Sequence, residues 1–287
     1  LGAEDPGGSY RQEPRKMKFL NNMTLGQYVP VESPVHHLDP RCKIVAVLFC
    51  LVGIFMVRGP LGFVMWGLFF LALVGASRIP ARLVLSTVKP VWILVAFTAA
   101  IHLFFTGGEP VFSWGILEVT REGVVMAARM GLRLMLLIMF AGLLTLTTSP
   151  TELADGLESL FSPLRRFGFP AHELAMMMTI ALRFIPTLLN ETERIMKAQI
   201  ARGAELERGG PLKRLRAFIP VLVPLFVIVF QRADDLATAM EARNYTGGEG
   251  RTRMNPLEWT AGDSAAFVFS LLFSFLAVFL DGRVTLP

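Results

Sequence analysis

Two arginines near the end of the chain sit in blocks that almost repeat each other, Ala198-Gln199-Ile200-Ala201-Arg202-Gly203 and Ala239-Met240-Glu241-Ala242-Arg243-Asn244. Each block closes a long helical pattern, with arginine in the last turn and Gly or Asn behind it. A cation is favoured at the negative end of the helix dipole, and Gly or Asn suits the left-handed residue that ends many helices. The guanidinium is a planar fork of N–H donors that can meet a carboxylate at two points. One such block alone would read as a solvated helix end. Two copies, with small Ala residues flattening the surface beside each arginine, point instead to a docking device that grips two similar acidic sockets.

Other chemistry is missing from the sequence. It contains no phosphate-binding GxxxxGK[ST] loop, no HExxH, no GxSxG and no Cys/His metal spacing. We therefore expect no ATP hydrolysis by this chain, no catalytic residue, no metal and no cofactor. Cys42 and Cys50 lie in or beside one apolar run and read as small core hydrophobes rather than a disulfide. Met176-Met177-Met178 and Met240 read as adaptable packing. A lone His102 within an apolar run reads as structural.

The elements that carry the two arginines belong to a membrane protein. Hydrophobic residues make up 53% and charged ones only 18% of 287 residues, too apolar for an ordinary soluble domain. Asp39-Pro40 starts the first helix as N-cap and first helical residue, and its apolar run extends from Ile44 to Val57. Further spans are expected over Leu61 to Ala76, Pro90 to Phe105, Arg121 to Thr147 and Ser264 to Leu280. Four of these five lack carboxylates, whereas ion-coupled carriers keep ionisable groups at the membrane midplane. Arg129 and Arg133, four residues apart on one face of the fourth span, should point to protein or water rather than lipid. Arg41, Lys43 and the basic 77–89 loop place the N-terminus in the cytoplasm. The 107–120 segment should then be an outside loop, with a short strand or interfacial turn.

Residues 149–253 hold half of the 28 Lys and Arg residues. Ser149-Pro150-Thr151-Glu152 is a capping box opening a helix that ends near Pro163 to Gly168. A second, longer helix follows Phe169-Pro170 and carries Arg183 and Pro186. Gly209-Gly210-Pro211 separates it from a third, which should kink at Pro220 and Pro224 and continues through Arg232 and Asp234 to Arg243. The apolar stretch Phe218 to Phe230 is short for a span. The expected fold is thus all-α: about five transmembrane helices plus a cytoplasmic platform of three long amphipathic helices. We divide it into a tag or expression scar at 1–16, a four-span membrane domain at 17–148, the platform at 149–253, and a last span with its tail at 254–287.

The chain resembles the transmembrane T component of energy-coupling factor (ECF) transporters, ABC-class systems for vitamin and metal uptake in prokaryotes. The resemblance runs from Met17 to the last span. It is carried by Ser33-Pro34-Val35-His36-His37-Leu38-Asp39-Pro40-Arg41-Cys42-Lys43, by Thr147-Thr148-Ser149-Pro150, by Ala181-Leu182-Arg183-Phe184-Ile185-Pro186, and by Arg232-Ala233-Asp234 together with the two arginine blocks. Cys42 stands where the family often has Thr, and Asn244 where it often has Gly. The resemblance implies that 149–253 are coupling helices, that Ala201-Arg202-Gly203 and Ala242-Arg243-Asn244 each dock one of two ABC-type ATPase subunits, and that Gln199, Glu241, Arg183, Pro186, Pro220, Pro224 and Asp234 support them. It also implies a membrane-embedded substrate-binding S component as partner, the cell membrane as location, and no role for nucleic acid. Glu249-Gly250-Arg251-Thr252 looks like the subgroup in which one T component serves several S components. The alternatives are a polytopic secondary carrier or membrane enzyme, and a scaffold binding anionic lipid through its basic platform.

Overall fold

The computed structural model describes residues 28–114, 117–204, 210–245, 247 and 257–285. They fall into two compact units, one holding 28–182 with 257–285 and the other 183–245. The proposed tag and the Glu249–Thr252 stretch lie outside the described residues.

Along the chain come α1 (Pro40–Met56), α2 (Pro60–Ser77), α3 (Ala81–Ser86), a 3₁₀ turn, α4 (Trp92–Phe105), β1 (Pro110–Trp114), β2 (Leu117–Thr120), α5 (Arg121–Thr147), α6 (Pro150–Phe161), a second 3₁₀ turn (Ser162–Phe167), α7 (Ala171–Ala201), α8 (Pro211–Ala242) and α9 (Ala261–Thr285). Among the described residues the architecture is helical with one small sheet, the antiparallel hairpin β1–β2 in the 107–120 segment. Local capping signals set several helix starts. Asp39 accepts from the Arg41 N–H ahead of Pro40, and Thr120 accepts from the Gly123 N–H to open α5. Ser149 and Glu152 form the reciprocal capping box of α6.

Six stretches of the described residues are long and apolar enough to cross a membrane: Pro60–Ser77, Ala81–Phe105, Arg121–Thr147, Ala171–Ala201, Leu215–Ala242 and Ala261–Arg283. This differs from the expected five. At 17 residues α1 is shorter than all six. Helices α7 and α8 join the set because each runs without a break through its prolines, Pro186 in α7 and Pro220 and Pro224 in α8. The apolar runs on either side of those prolines therefore add into one long rod. Length and composition admit these two helices to a membrane; they do not place them in one.

The core of the larger unit is aromatic. Trp66 of α2 is fully buried and meets Phe69, Phe140 and Phe273 edge-on at centroid distances of 5.9, 5.6 and 5.2 Å, the geometry that the ring quadrupole favours. Phe69 stacks on Phe273 at 4.2 Å. Gly53 of α1 admits the indole: a Cβ there would come within 2.6 Å of the Trp66 ring. Cys42 and Cys50 are free and buried.

Polar groups at the helix ends tie this core together. Asp281, near the end of α9, accepts N–H groups of Arg58 (2.7 Å), Gly59 (2.8 Å) and Gly62 (3.0 Å) at the start of α2. It supplies acceptors to a helix start that has no side-chain cap of its own. At the other end of α9, Asp263 accepts from the Asp39 N–H (2.7 Å) and from the Thr260 N–H and hydroxyl. Buried Lys43 donates to the carbonyls of His36 (2.8 Å) and Thr147 (3.2 Å), joining α1 to the end of α5. Of the two surroundings expected for it, protein or water, Arg133 takes protein: it donates to the Val57 carbonyl and lies over the Phe63 ring.

In the smaller unit Met196 and Val221 are buried against Ile195, Ala204, Ala217 and Phe218. The outward faces of α8 at Ile219, Val223, Phe226, Val227 and Phe230 are exposed. The capping role of Asp281 gives a direct test. Asp281→Ala, which strands three backbone donors, should cost about 2–4 kcal/mol and lower the midpoint of thermal unfolding in detergent. Asp281→Asn, which keeps an acceptor oxygen, should lose less.

Candidate functional site: two capped arginine ends

The two arginine blocks end their helices in the same way, bond for bond. At the end of α7 the Gly203 N–H donates to the Ile200 carbonyl (2.9 Å) and the Ala204 N–H to the Gln199 carbonyl (3.0 Å). At the end of α8 the Asn244 N–H donates to the Glu241 carbonyl (2.9 Å) and the Tyr245 N–H to the Met240 carbonyl (3.0 Å). Each is a Schellman motif, in which the last two bonds curl back over the helix end. The motif needs a left-handed residue, and Gly203 (φ +89°) and Asn244 (φ +55°) supply it. Both arginines therefore occupy the same cap position, one residue before the left-handed turn.

Ala201, Arg202, Gly203, Ala242, Arg243 and Asn244 are all exposed. Among the described residues neither the Arg202 nor the Arg243 guanidinium has a hydrogen-bond or salt-bridge partner within the chain. Their donors are available to something else. A fork held at a rigid helix end loses less freedom on binding than one on a loop.

The supporting residues divide into two sets. Gln199 and Glu241 belong to the caps through their carbonyls. Arg183 and Pro186 lie on exposed positions of α7, Pro220 and Asp234 on exposed positions of α8, and Pro224 is half-buried; none of these enters either cap. The two ends also differ in charge. The final turns of α7 carry Arg194 and Lys197 against Glu191 and Glu193, with Lys197 paired to Glu193 at 2.7 Å, whereas α8 carries Asp234, Asp235 and Glu241 against Arg232 alone. The same pair of closing bonds thus presents one fork beside balanced charge and one in an acidic setting.

Sequence reasoning did not find the buried charges at the helix ends, Lys43 and Asp263 at the start of α1 and Asp281 at the start of α2. Their only signal was the presence of charges at the edges of apolar runs. No cluster of His, Cys, Asp or Glu among the described residues could hold a metal ion.

Fold and site together define a polytopic helical membrane protein whose distinctive feature is a pair of exposed, equivalent helix ends. The model of the CbiQ family, described as cobalt transport protein, matches residues 31–254. An energy-coupling factor transporter transmembrane protein, EcfT, of Thermanaerovibrio acidaminovorans is 62% identical over 250 residues, covering 87% of this chain and 93% of the relative. Proteins of the same description from Acidaminococcus fermentans and Bacillus subtilis are 49% and 42% identical, each covering 91% of this chain and 98% or 99% of the relative. The chain belongs to this family, the transmembrane components of energy-coupling factor transporters, and is a non-catalytic subunit.

The caps can be tested by themselves. A Cβ at position 203 would meet nothing, so Gly203→Val would suffer only the left-handed backbone strain of about 1–2 kcal/mol. Asn244→Val should lose a similar amount, whereas Asn244→Gly should hold or gain slightly. Hydrogen exchange at the Ala204 and Tyr245 amides should quicken in the valine variants alone.

Proposed function

We propose that this chain is the mechanical coupler of an ATP-driven importer: Arg202 and Arg243 each dock one of two ABC-type ATPase subunits, and α6–α8 pass their motion to a membrane-embedded S component that binds a vitamin or other micronutrient. The observation that carries the reading is the repeated Schellman cap with an uncommitted arginine at the same position. The names of the relatives add support, because an energy-coupling factor transporter couples transport to an energy source. ATP binding and hydrolysis would favour different arrangements of the two ATPases. A subunit that grips both is biased with them, and can shift an S component only through its differential contacts with each arrangement.

In this reading α6–α8 form a cytoplasmic platform although α7 and α8 are long enough to span. Charge favours the cytoplasm. If α7 crossed outward, the turn between α7 and α8 would carry Arg202, Arg208, Lys213, Arg214 and Arg216 to the outer side, against the bias of basic residues towards the cytoplasm. With the platform inside, the spans are five, the N-terminus is cytoplasmic, and α9 leaves the C-terminus outside. Service to several S components is part of the same proposal and rests on the Glu249–Thr252 stretch.

The forks should behave as specific binders rather than as generic charge. Arg202→Ala or Arg243→Ala should weaken co-purification of the ATPases at least about tenfold, as expected for loss of a charge-assisted pair, and uncouple hydrolysis from uptake. The double variant should be worst. Lysine at either position keeps the charge but not the fork, so a lipid-binding role would survive Arg202→Lys and Arg243→Lys while docking would not. Normal assembly and transport by both alanine variants would end the proposal.

A further inference from the structure

An open cavity of about 330 Å³ lies at the N-terminal end of α5, remote in sequence from the docking forks and lined by Thr106, Arg121, Glu122, Val125, Met126 and Arg129. Two arginines thus line one space, with one carboxylate, Glu122, beside them. Among the described residues neither arginine makes a salt bridge. The nearby carboxylates are already engaged: Glu122 accepts from the Glu109 N–H at 2.9 Å, and Asp281, which Arg129 also reaches electrostatically, accepts the three N–H groups at the start of α2. Arg133 lies close enough to repel Arg129. Both carboxylates keep their charge, and three arginines against these two leave one positive charge in excess.

Depth identifies what could balance it. Arg129 stands eighteen residues before Thr147, the last residue of α5, which is about 27 Å along a helix axis. A bilayer's hydrocarbon core is about 30 Å thick. With the Thr147 end at one face of the membrane, Arg129 comes to the edge of the hydrocarbon at the other, and Arg121 lies a further two turns out. Both side chains can place their charged heads in the headgroup layer while their stems stay against apolar surface. That apolar surface is present, since Phe105, Val124 and Val125 around the cavity are exposed.

We infer that the Arg121–Arg129 cavity holds a phosphate ester anion, supplied by the headgroup of a membrane phospholipid whose acyl chains lie along Phe105 and Val125. The guanidinium forks match phosphate oxygens in the same way as they match carboxylates, and the Thr106 hydroxyl adds a neutral donor. Binding there would pin the α4–α5 corner to the membrane surface.

The test uses the full chain in nanodiscs of mixed phosphatidylglycerol and phosphatidylcholine, re-extracted into detergent, with retained lipid counted by native mass spectrometry and total phosphorus. The unaltered chain should retain phospholipid. Arg121→Gln/Arg129→Gln should lower retention about tenfold, the effect of losing charge-assisted bonds, and Glu122→Gln should raise it. Inorganic phosphate added to the delipidated chain separates the two sources. Failure to displace lipid supports the phospholipid, whereas binding of phosphate with no lipid retained overturns the phospholipid and leaves a free anion. Equal lipid and phosphate retention by the unaltered chain and the double variant overturns the site. Arg121→Gln alone, at the exposed first residue of α5, repeats the comparison if the double variant fails to fold.

Discussion

Each helix end leaves several backbone N–H or C=O groups without an intrahelical partner, and a chain this apolar has little water with which to satisfy them. In hydrocarbon an unmet backbone group costs several kcal/mol. The membrane unit meets this demand by lending carboxylates across the fold. Helix α9 carries one at each end, Asp263 for the N–H of Asp39 ahead of α1 and Asp281 for the start of α2. Lys43 answers in the opposite sense, giving its ammonium protons to the carbonyls of His36 and Thr147. The aromatic cluster around Trp66 then packs helices whose ends are already fixed.

The same demand is met differently at α7 and α8. There the backbone folds back on itself, and no side chain is spent on the cap. The two Schellman turns free Arg202 and Arg243 to face outward while holding their Cα positions rigidly. A side chain that caps its own helix cannot also grip a partner; these two are released from that duty. The unequal charge around them, balanced at α7 and acidic at α8, means that the two sockets need not be alike even though the forks are presented alike. Two non-equivalent motor subunits would suit that asymmetry.

Much of this was legible because the signals are local. Asp39-Pro40, Ser149 with Glu152, and Gly203 or Asn244 behind an arginine are written within four residues of the groups they serve, and the structure realises each of them. For Arg129 and Arg133 the spacing and the cost of charge in lipid left protein or water as the surroundings, and Arg133 takes protein. Partnerships across more than two hundred residues, such as Asp281 with Gly59 and Asp263 with Asp39, leave no periodic trace. The aromatic convergence of Trp66, Phe140 and Phe273 is equally silent, since any of those rings could have faced lipid. Spanning was the hardest property to read. Arg183 and Pro186 argued against a span in α7, yet the helix is continuous through Pro186 and long enough to cross. Neither length nor apolarity distinguishes a helix in the bilayer from one lying on its surface, and the decision falls to charge and to the partners. The cavity at Arg121 and Arg129 went unseen because the pattern was read for faces of one helix, not for what the end of α4 brings beside α5.

The account stands most directly on the surroundings of two guanidinium groups. Determining the structure of the intact assembly, with both ATPases and an S component present, measures them. The account predicts each fork within hydrogen-bonding distance of a carboxylate, Arg202 on one ATPase and Arg243 on the other. Either fork found in water or against lipid, with both ATPases bound elsewhere, would contradict it.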